Sequence, residues 1–310
     1  MKFALAALAA FSLASAAHAD GPRVAWTVEQ AQDPDRAQLN LSWHSTPRDS
    51  NSGSRGIDLA QLAGLSRAQL NSTSLVVVRF RLTRDAGALD CEGSAKAGLG
   101  SGACDFRASE AFARQLSQSG AGTASREQLL NLAVADIGAA YLEELRRQRY
   151  ATASVADLVQ AGQHGADLRF LQGMGALGYH VQTLPALVRM VDHGANPAYV
   201  EALARQGYRN LPADTVVQMR DHGVTPSFVA DLHALGYAAL APEMLVRLRD
   251  HGVSAQFVSD LRALGYPGLE PDTLVRLRDH GVTAEFVRRV STPRKLDVDE
   301  LIRTRDTGGR

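Results

Sequence analysis

From about Ser109 to its last residues, the sequence repeats one pattern every 29 residues. Gly-Tyr pairs and His-Gly pairs recur at this interval, for example Gly265-Tyr266 and His251-Gly252. A fixed period in this range is typical of stacked supersecondary units. The period therefore predicts that most of the chain folds as a row of similar units. A ring residue marks each step, at Phe112, Tyr141, Phe170, Tyr199, Phe228, Phe257 and Phe286.

Each repeat contains two short segments whose apolar residues have the spacing of a helix. Helices of about ten residues barely persist alone in water, so stacking must supply their stability. We therefore expect an α-solenoid of 29-residue two-helix repeats over residues 108–310. In one repeat the apolar positions are Leu245, Val246 and Leu248, then Phe257, Val258, Leu261 and Leu264.

The predicted helices have recognisable starts and ends. Pro242 and Pro271 stand where a first helical residue tolerates a missing N–H. Both helices of a repeat end at glycine followed by an apolar residue, which is typical of the Schellman motif. The tyrosine of each Gly-Tyr pair is expected to cover the helix end. The expected N-caps of second helices are Ser109, Thr225, Ser254 and Thr283.

Residues 20–107 lack the repeat and show the alternation of strands. Val24 to Val28, Leu39 to Trp43 and Leu75 to Leu82 are the expected strands. Pro47 to Gly56 is expected to be a flexible polar loop, and Ser66 is a possible cap for a short helix. The fold class is thus α+β and mainly α, with a small antiparallel β domain followed by the solenoid.

The two cysteines, Cys91 and Cys104, flank a glycine-rich segment that is expected to form a hairpin loop. An even number of cysteines in an exported protein usually means a disulfide. A redox-active pair would be closer in sequence, as in C-x-x-C. We therefore predict a structural disulfide between two neighbouring antiparallel strands, where it would add about 3 kcal/mol.

Residues 1–19 resemble an export signal. Lys2 is followed by an apolar run, and Ala17-His18-Ala19 fits a cleavage site. This run is too short to be a spanning helix, and no transmembrane segment is expected elsewhere. The chain has 33 basic and 33 acidic residues, so binding to nucleic acid is not indicated. We expect a periplasmic protein, with full secretion as the alternative.

The histidine series His164, His193, His222, His251 and His280 allows two interpretations. Metal binding or pH sensing is one. Equivalent residues of stacked helices lie roughly 8–10 Å apart, however, which is too far for neighbours to share a zinc ion. The favoured interpretation is structural, with each imidazole hydrogen-bonding free carbonyls at its own helix end. No cofactor or metal is expected.

Aspartates precede four of these histidines, although a carboxylate at a helix C-terminus is disfavoured by roughly 0.3–1 kcal/mol. One hypothesis pairs each with an arginine of an adjacent repeat or with the neighbouring histidine. The other is an exposed recognition edge, because arginine is favoured at interface hot spots. The candidate partner-binding residues are Arg249, Asp250, His251, Arg278, Asp279 and His280.

Motifs of common enzyme classes are missing, including G-x-S-x-G, H-E-x-x-H and a phosphate-binding glycine loop. The strings RLRDHGV and ALGY, together with the segment Val78 to Gly102 that begins VRFRLTRDAG, resemble extracytoplasmic extensions of zinc metallopeptidases of the beta-lactam-sensing antirepressor type. This resemblance implies a sensing or docking module. It implies no activity, because the zinc-binding helix of the peptidase has no counterpart here.

Repeat stacks mostly present surfaces for binding. The sequence therefore predicts a non-enzymatic interaction scaffold of the bacterial envelope that binds a protein or peptide. The alternative is an envelope sensor or regulator that docks on a membrane peptidase or receptor and responds to a small ligand.

Overall fold

The computed structural model describes residues 23–46, 49–291 and 294–308, and the predicted export signal lies outside these ranges. The chain forms two compact units. One contains the described residues up to Thr83 together with Gly87–Ala108. The other contains Arg84–Ala86 together with the described residues from Ser109 onward.

The first unit is an antiparallel sheet of seven strands in the order β3-β2-β1-β7-β6-β5-β4. Strand β1 shows why these residues form a sheet, since Val24, Trp26 and Val28 are buried and alternate with exposed residues. A 3-10 turn, Leu59–Gln61, and helix α1, Arg67–Leu70, complete the unit, and Ser66 caps α1 as predicted. The strands are β1 Val24–Gln30, β2 Arg36–Thr46, β3 Asp49–Asp58, β4 Leu62–Ala63, β5 Val76–Arg84, β6 Gly87–Lys96 and β7 Leu99–Ala108.

The prediction of a loop from Pro47 to Gly56 is wrong over the residues that the structure describes. Strand β3 begins at Asp49, and Pro47 and Arg48 lie outside the described ranges. Strand β3 is at the sheet edge and pairs with β2, so backbone hydrogen bonds can hold polar residues in a strand. The Ser54 hydroxyl adds side-chain bonds to the neighbouring strand, because it accepts from Gln38 Nε2 (2.6 Å) and donates to Asn40 Oδ1 (2.6 Å).

Strands β6 and β7 form a hairpin that contains the predicted disulfide. Cys91 and Cys104 are directly opposite and are bonded to each other, with their Cα atoms 4.0 Å apart. The expected loop between them is mostly strand, and only Ala97 and Gly98 make the turn, with φ angles of 52° and 86°. Two residues with positive φ are typical of a two-residue hairpin turn whose twist matches that of the strands.

The second unit is a series of fourteen helices within the described residues. Each helix of a complete repeat has seven to ten residues. Helix α2 is a lone second helix, and α15 is a lone first helix. Their bounds are α2 Glu110–Gln118, α3 Arg126–Ala135, α4 Ala139–Arg147, α5 Val155–Gln163, α6 Leu168–Ala176, α7 Leu184–Asp192, α8 Pro197–Arg205, α9 Ala213–Asp221, α10 Pro226–Ala234, α11 Pro242–Asp250, α12 Ala255–Ala263, α13 Pro271–Asp279, α14 Ala284–Val290 and α15 Val298–Asp306.

The helices stack in two layers. First helices pack on first helices, in the order α3, α5, α7, α9, α11 and α13, and second helices pack on second helices, from α4 to α14. Leucine and valine side chains of both layers are buried, for example Leu248 and Leu261. The predicted α-solenoid is therefore present, and its helices are held by neighbours rather than by their own length.

The helix ends follow the sequence signals. The predicted caps Ser109, Thr225, Ser254 and Thr283 each accept a hydrogen bond from a backbone N–H of the second helix that follows. At the end of α12 the N–H of Tyr266 donates to the carbonyl of Leu261 (2.9 Å), and that of Gly265 donates to Arg262 (3.1 Å). These two bonds define the Schellman motif.

The tyrosines after the glycines also connect successive repeats. The hydroxyl of Tyr208 donates to the carbonyl of Leu240, and that of Tyr237 donates to Leu269, both over 2.7 Å. Tyr199, a ring residue of the repeat, donates in the same way to Val224 (2.7 Å). Burial raises the pKa of Tyr199 to about 12, so the hydroxyl remains a donor.

Candidate functional site

The repeated histidines lie at the C-terminal ends of the first helices. The backbone N–H of His251 donates to the carbonyl of Arg247 (3.1 Å), and the next residue, Gly252, has a φ of 68°. This glycine turns the chain into the second helix. The imidazole is consequently held at the helix end by its backbone, in the same position in five repeats.

Each imidazole Nδ1 is hydrogen-bonded to the carboxylate of an aspartate one repeat further along. The Nδ1–Oδ1 distances lie between 2.5 and 2.9 Å. We call these ten residues the Asp–His ridge. The pairs are His164–Asp192, His193–Asp221, His222–Asp250, His251–Asp279 and His280–Asp306.

This geometry differs from the prediction that each imidazole bonds carbonyls of its own helix. An aspartate at the last helical residue faces the negative end of the helix dipole and gains most from an N–H donor. The imidazole of the preceding repeat is that donor. Because a carboxylate only accepts, the shared hydrogen belongs to Nδ1, and Nε2 of a neutral ring is then an acceptor. Nε2 of the five rings makes no hydrogen bond to a described residue.

Arginines stand beside the ridge and stack on aromatic rings. The guanidinium carbon of Arg249 lies 5.2 Å from the centre of the Phe228 ring, and that of Arg278 lies 5.1 Å from Phe257. Each arginine precedes a ridge aspartate and contacts a ring of the preceding repeat. The contacts are cation–π interactions, which fix the long arginine side chains in place. Arg220 and Arg305 contact Tyr199 and Phe286 in the same way.

The six predicted contact residues are thus at the ends of the adjacent helices α11 and α13. The structure directly joins two of them, His251 and Asp279. Asp250 instead pairs with His222, and His280 pairs with Asp306. The paired side chains remain partly accessible, from 37% for His251 to 48% for Asp306. Arg249 is exposed and Arg278 is half-buried.

Sequence reasoning did not include His222 and Asp306 in this set. The available signal was the constant separation of 28 residues between each histidine and the aspartate that binds it, as in His222 and Asp250. In the last pair the separation is 26 residues, because the final repeat is shorter. A pairing between repeats can be read from such a constant interval only once the stacking direction is known.

A second series of ion pairs crosses the same interfaces, from an arginine in the last turn of one first helix to an aspartate in the first turn of the next. Arg189 and Asp214 are 2.7 Å apart, and Arg247 and Asp272 are 2.6 Å apart. Arg276 and Asp299 continue the series at 2.9 Å. These side chains are about half exposed or more, and exposed pairs contribute little to stability. Each pair links one first helix to the next.

The described ranges 23–46, 49–291 and 294–308 contain neither a metal-binding cluster nor a membrane-spanning helix. Within them no three His, Cys, Asp or Glu side chains lie together so as to hold a metal ion. No helix there has both the length and the apolar character needed to cross a bilayer.

No protein-family model, curated protein or solved structure matches this chain.

Proposed function

We propose that this protein is an exported, non-enzymatic scaffold of the bacterial envelope whose solenoid binds a protein or peptide along the Asp–His ridge. The observation that carries this proposal is the ridge itself. Five Asp–His pairs recur at one end of stacked helices, and their side chains are partly exposed. A partner that extends over several repeats would meet the same groups at each step.

The ridge residues are held in place before any partner arrives. Each imidazole is fixed through Nδ1 and offers Nε2, and each neighbouring arginine is fixed on a ring. Fixing side chains in advance lowers the entropy that binding must overcome. The partner we expect therefore presents hydrogen-bond donors, such as backbone amides or basic side chains, to the Nε2 atoms.

Export to the periplasm, or secretion as the alternative, is part of the same proposal. The disulfide between Cys91 and Cys104 supports it, because disulfides persist mainly in oxidising compartments. The sequence of residues 1–19 supports it as well.

In-cell photo-crosslinking tests this function. A crosslinking amino acid at Gln256, which is exposed in the first turn of α12 next to the ridge, should capture a partner. The matched control is Glu243, which is exposed at the opposite end of the helices, in the first turn of α11. The capture from Gln256 should be lost when His251→Ala is added, while the melting temperature falls by only a few degrees. Equal capture from both sites, or capture that His251→Ala leaves unchanged, would refute the proposal.

A further inference from the structure

A depression lies at the opposite ends of the helices from the ridge, where the repeat of α3 and α4 meets the next one. Besides Ala151, the residues that line it are Arg147, Gln148, Arg149, His180, Gln182 and Thr183. The backbone joins its two sides, because the N–H of Ala151 donates to the carbonyl of Gln182 (2.8 Å). We call these six residues the junction depression.

The rim of the junction depression is basic. The side chains of Arg149 and His180 are exposed and make no hydrogen bond or ion pair with any residue that the structure describes. Arg147 binds Glu144, with 2.9 Å between Nε and Oε2. This hydrogen bond holds the pKa of Glu144 below its usual range, so the carboxylate stays ionised. Of the three basic side chains, Arg147 is the one that is paired with this carboxylate.

The floor of the depression contains a buried glutamine with one free acceptor. Gln148 is only 6% exposed. Its Nε2 donates to Glu144 Oε1 and to the carbonyl of Leu171 (3.0 Å), whereas its buried Oε1 has no partner among the described residues. A buried acceptor without a donor is unfavourable. Three other repeats have leucine at the equivalent position and therefore bury no free acceptor there. These residues are Leu177, Leu235 and Leu264.

Two further residues at this junction depart from the repeat pattern. A side chain at Gly175 would collide with the amide of Gln148, so this glycine makes room for the glutamine inside helix α6. Arg149 has a φ of 59°, a left-handed conformation that disfavours residues with a side chain. Four other repeats have glycine there, at Gly178, Gly207, Gly236 and Gly265.

We propose that the junction depression binds a carboxylate that has an N–H next to it, as found at the C-terminal end of a peptide. Arg147, Arg149 and His180 bind the carboxylate, and Gln148 Oε1 accepts from the N–H. Unfavourable local features are retained where a ligand uses them. Here three such features lie together: the free acceptor of Gln148, the helical Gly175 and the left-handed Arg149.

The free acceptor distinguishes a peptide end from a simple anion. Inorganic phosphate at neutral pH carries mainly acceptors and leaves little to donate to Gln148 Oε1. The last residue of a peptide instead carries both a carboxylate and an amide N–H, and capture of a terminal carboxylate is a known mode of peptide recognition. The buried charge of Glu144 also disfavours a doubly charged anion close by.

Titration followed by NMR tests the ligand class. The probe is N-acetyl-triglycine with a free carboxylate, and the observed signals are the backbone amides of Ala151 and Gln182. We expect saturable shifts with a dissociation constant on the order of 1 mM. The C-terminal amide of the same peptide, and inorganic phosphate, should each bind at least about tenfold more weakly. Equal binding of acid and amide, stronger binding of phosphate, or the absence of saturable shifts overturns the proposal.

Substitutions taken from the other repeats test the residues. Arg149→Gly and Gln148→Leu restore the residues found elsewhere in the stack, so both variants should fold. Arg149→Gly should melt no lower than the parent, whereas Gln148→Leu loses the hydrogen bonds from Nε2 to Glu144 and Leu171 and should melt slightly lower. Each should weaken binding of the free acid about tenfold. Gln206→Leu makes the same chemical change at the equivalent position two repeats later and should leave binding unchanged. Retained affinity in Arg149→Gly, or an equal loss in Gln206→Leu, counts against the site. Neither result depends on the ridge, which lies at the other ends of the helices.

Discussion

At the scale of single residues, backbone conformation decides what each repeat position accepts. The second residue after each second helix from α6 to α12 is glycine, with φ angles from 81° to 98°. Arg149 takes this place at the end of α4 with a φ of 59°. A left-handed conformation is unfavourable by roughly 1–2 kcal/mol for residues other than glycine. The same position is therefore relaxed in four repeats and strained in one.

Exchanging these residues should have opposite effects on stability. Arg149→Gly should raise the free energy of unfolding by about 0.5–1 kcal/mol. The substitution relieves backbone strain in the folded state, and this gain is larger than the stabilisation of the unfolded chain by the added conformational entropy of glycine. Gly178→Ala should lower it by about 1 kcal/mol. Urea unfolding followed by circular dichroism at 222 nm measures both. A stabilised Gly178→Ala would show that this position is not left-handed.

The Asp–His pairs make a second prediction at this scale. Asp250 accepts from His222 at 2.6 Å, and both side chains are about 40% exposed. We expect a coupling free energy of about 0.5–1 kcal/mol, as for other partly exposed pairs. A double-mutant cycle with Asp250→Ala and His222→Ala measures it. His251, which is not bonded to Asp250, is the control, and the Asp250→Ala and His251→Ala effects should be closer to additive.

Buried tyrosines predict how stability changes at alkaline pH. Folding raises the pKa of Tyr199 to about 12, above its ordinary value of about 10. The unfolded chain therefore releases this proton first, so the stabilising contribution is complete below pH of about 10 and is lost as pH rises towards about 12. Tyr199→Phe, which copies Phe228 and Phe257, should make the urea midpoint depend less on pH in this range. An unchanged pH profile would mean that other groups dominate.

At the scale of elements, the sheet unit depends on its central hairpin. Cys91 and Cys104 connect β6 to β7, and β7 also pairs with β1. Trp26 on β1 is buried and donates from Nε1 to the carbonyl of Glu92 on β6 (3.2 Å). The hairpin is thus joined to the rest of the sheet by both backbone and side-chain contacts.

Removal of the disulfide should weaken this unit. Cys91→Ala with Cys104→Ala is expected to lower the free energy of unfolding by about 3 kcal/mol, because the unfolded chain gains entropy. Both tryptophans of the chain, Trp26 and Trp43, are buried in the sheet unit, so their fluorescence reports its unfolding. The parent protein under reducing conditions is the matched comparison and should show the same loss. An unchanged fluorescence midpoint in both would contradict this expectation.

At the scale of the whole molecule, the solenoid is held by contacts between neighbours. The Asp–His pairs, the tyrosine hydroxyl bonds and the cation–π contacts all join one repeat to the next. In such a structure stability is approximately a sum over repeats and their interfaces. The length of the stack can therefore change if the register is kept.

Deletion of one complete repeat tests this additivity. Removing residues 225–253 joins Val224 to Ser254 and brings His222 opposite Asp279, so each interface is formed again. This variant should keep its helicity per residue and unfold at a lower denaturant concentration, because one interface is missing. Removing residues 225–249 breaks the register and should unfold much of the stack. Similar stability of the two variants would refute a repeat-by-repeat account.

The sequence determined the architecture of this protein because local signals agree with each other. The 29-residue period, the caps such as Ser254 and the glycines after each helix fixed the two-helix repeat. Cys91 and Cys104 indicated their own pairing because they are two cysteines in strand-like segments. The caps and the glycines act within a few residues and do not depend on distant parts of the chain.

Only the tertiary structure decided which side chains meet across repeats. The partner of His251 proved to be Asp279, and polar residues around Ser54 formed an edge strand, because both outcomes depend on a distant segment of the chain. The free acceptor of Gln148 was also invisible in the sequence, since burial alone makes it unusual. Periodicity specifies which residues are equivalent, whereas packing specifies which of them touch.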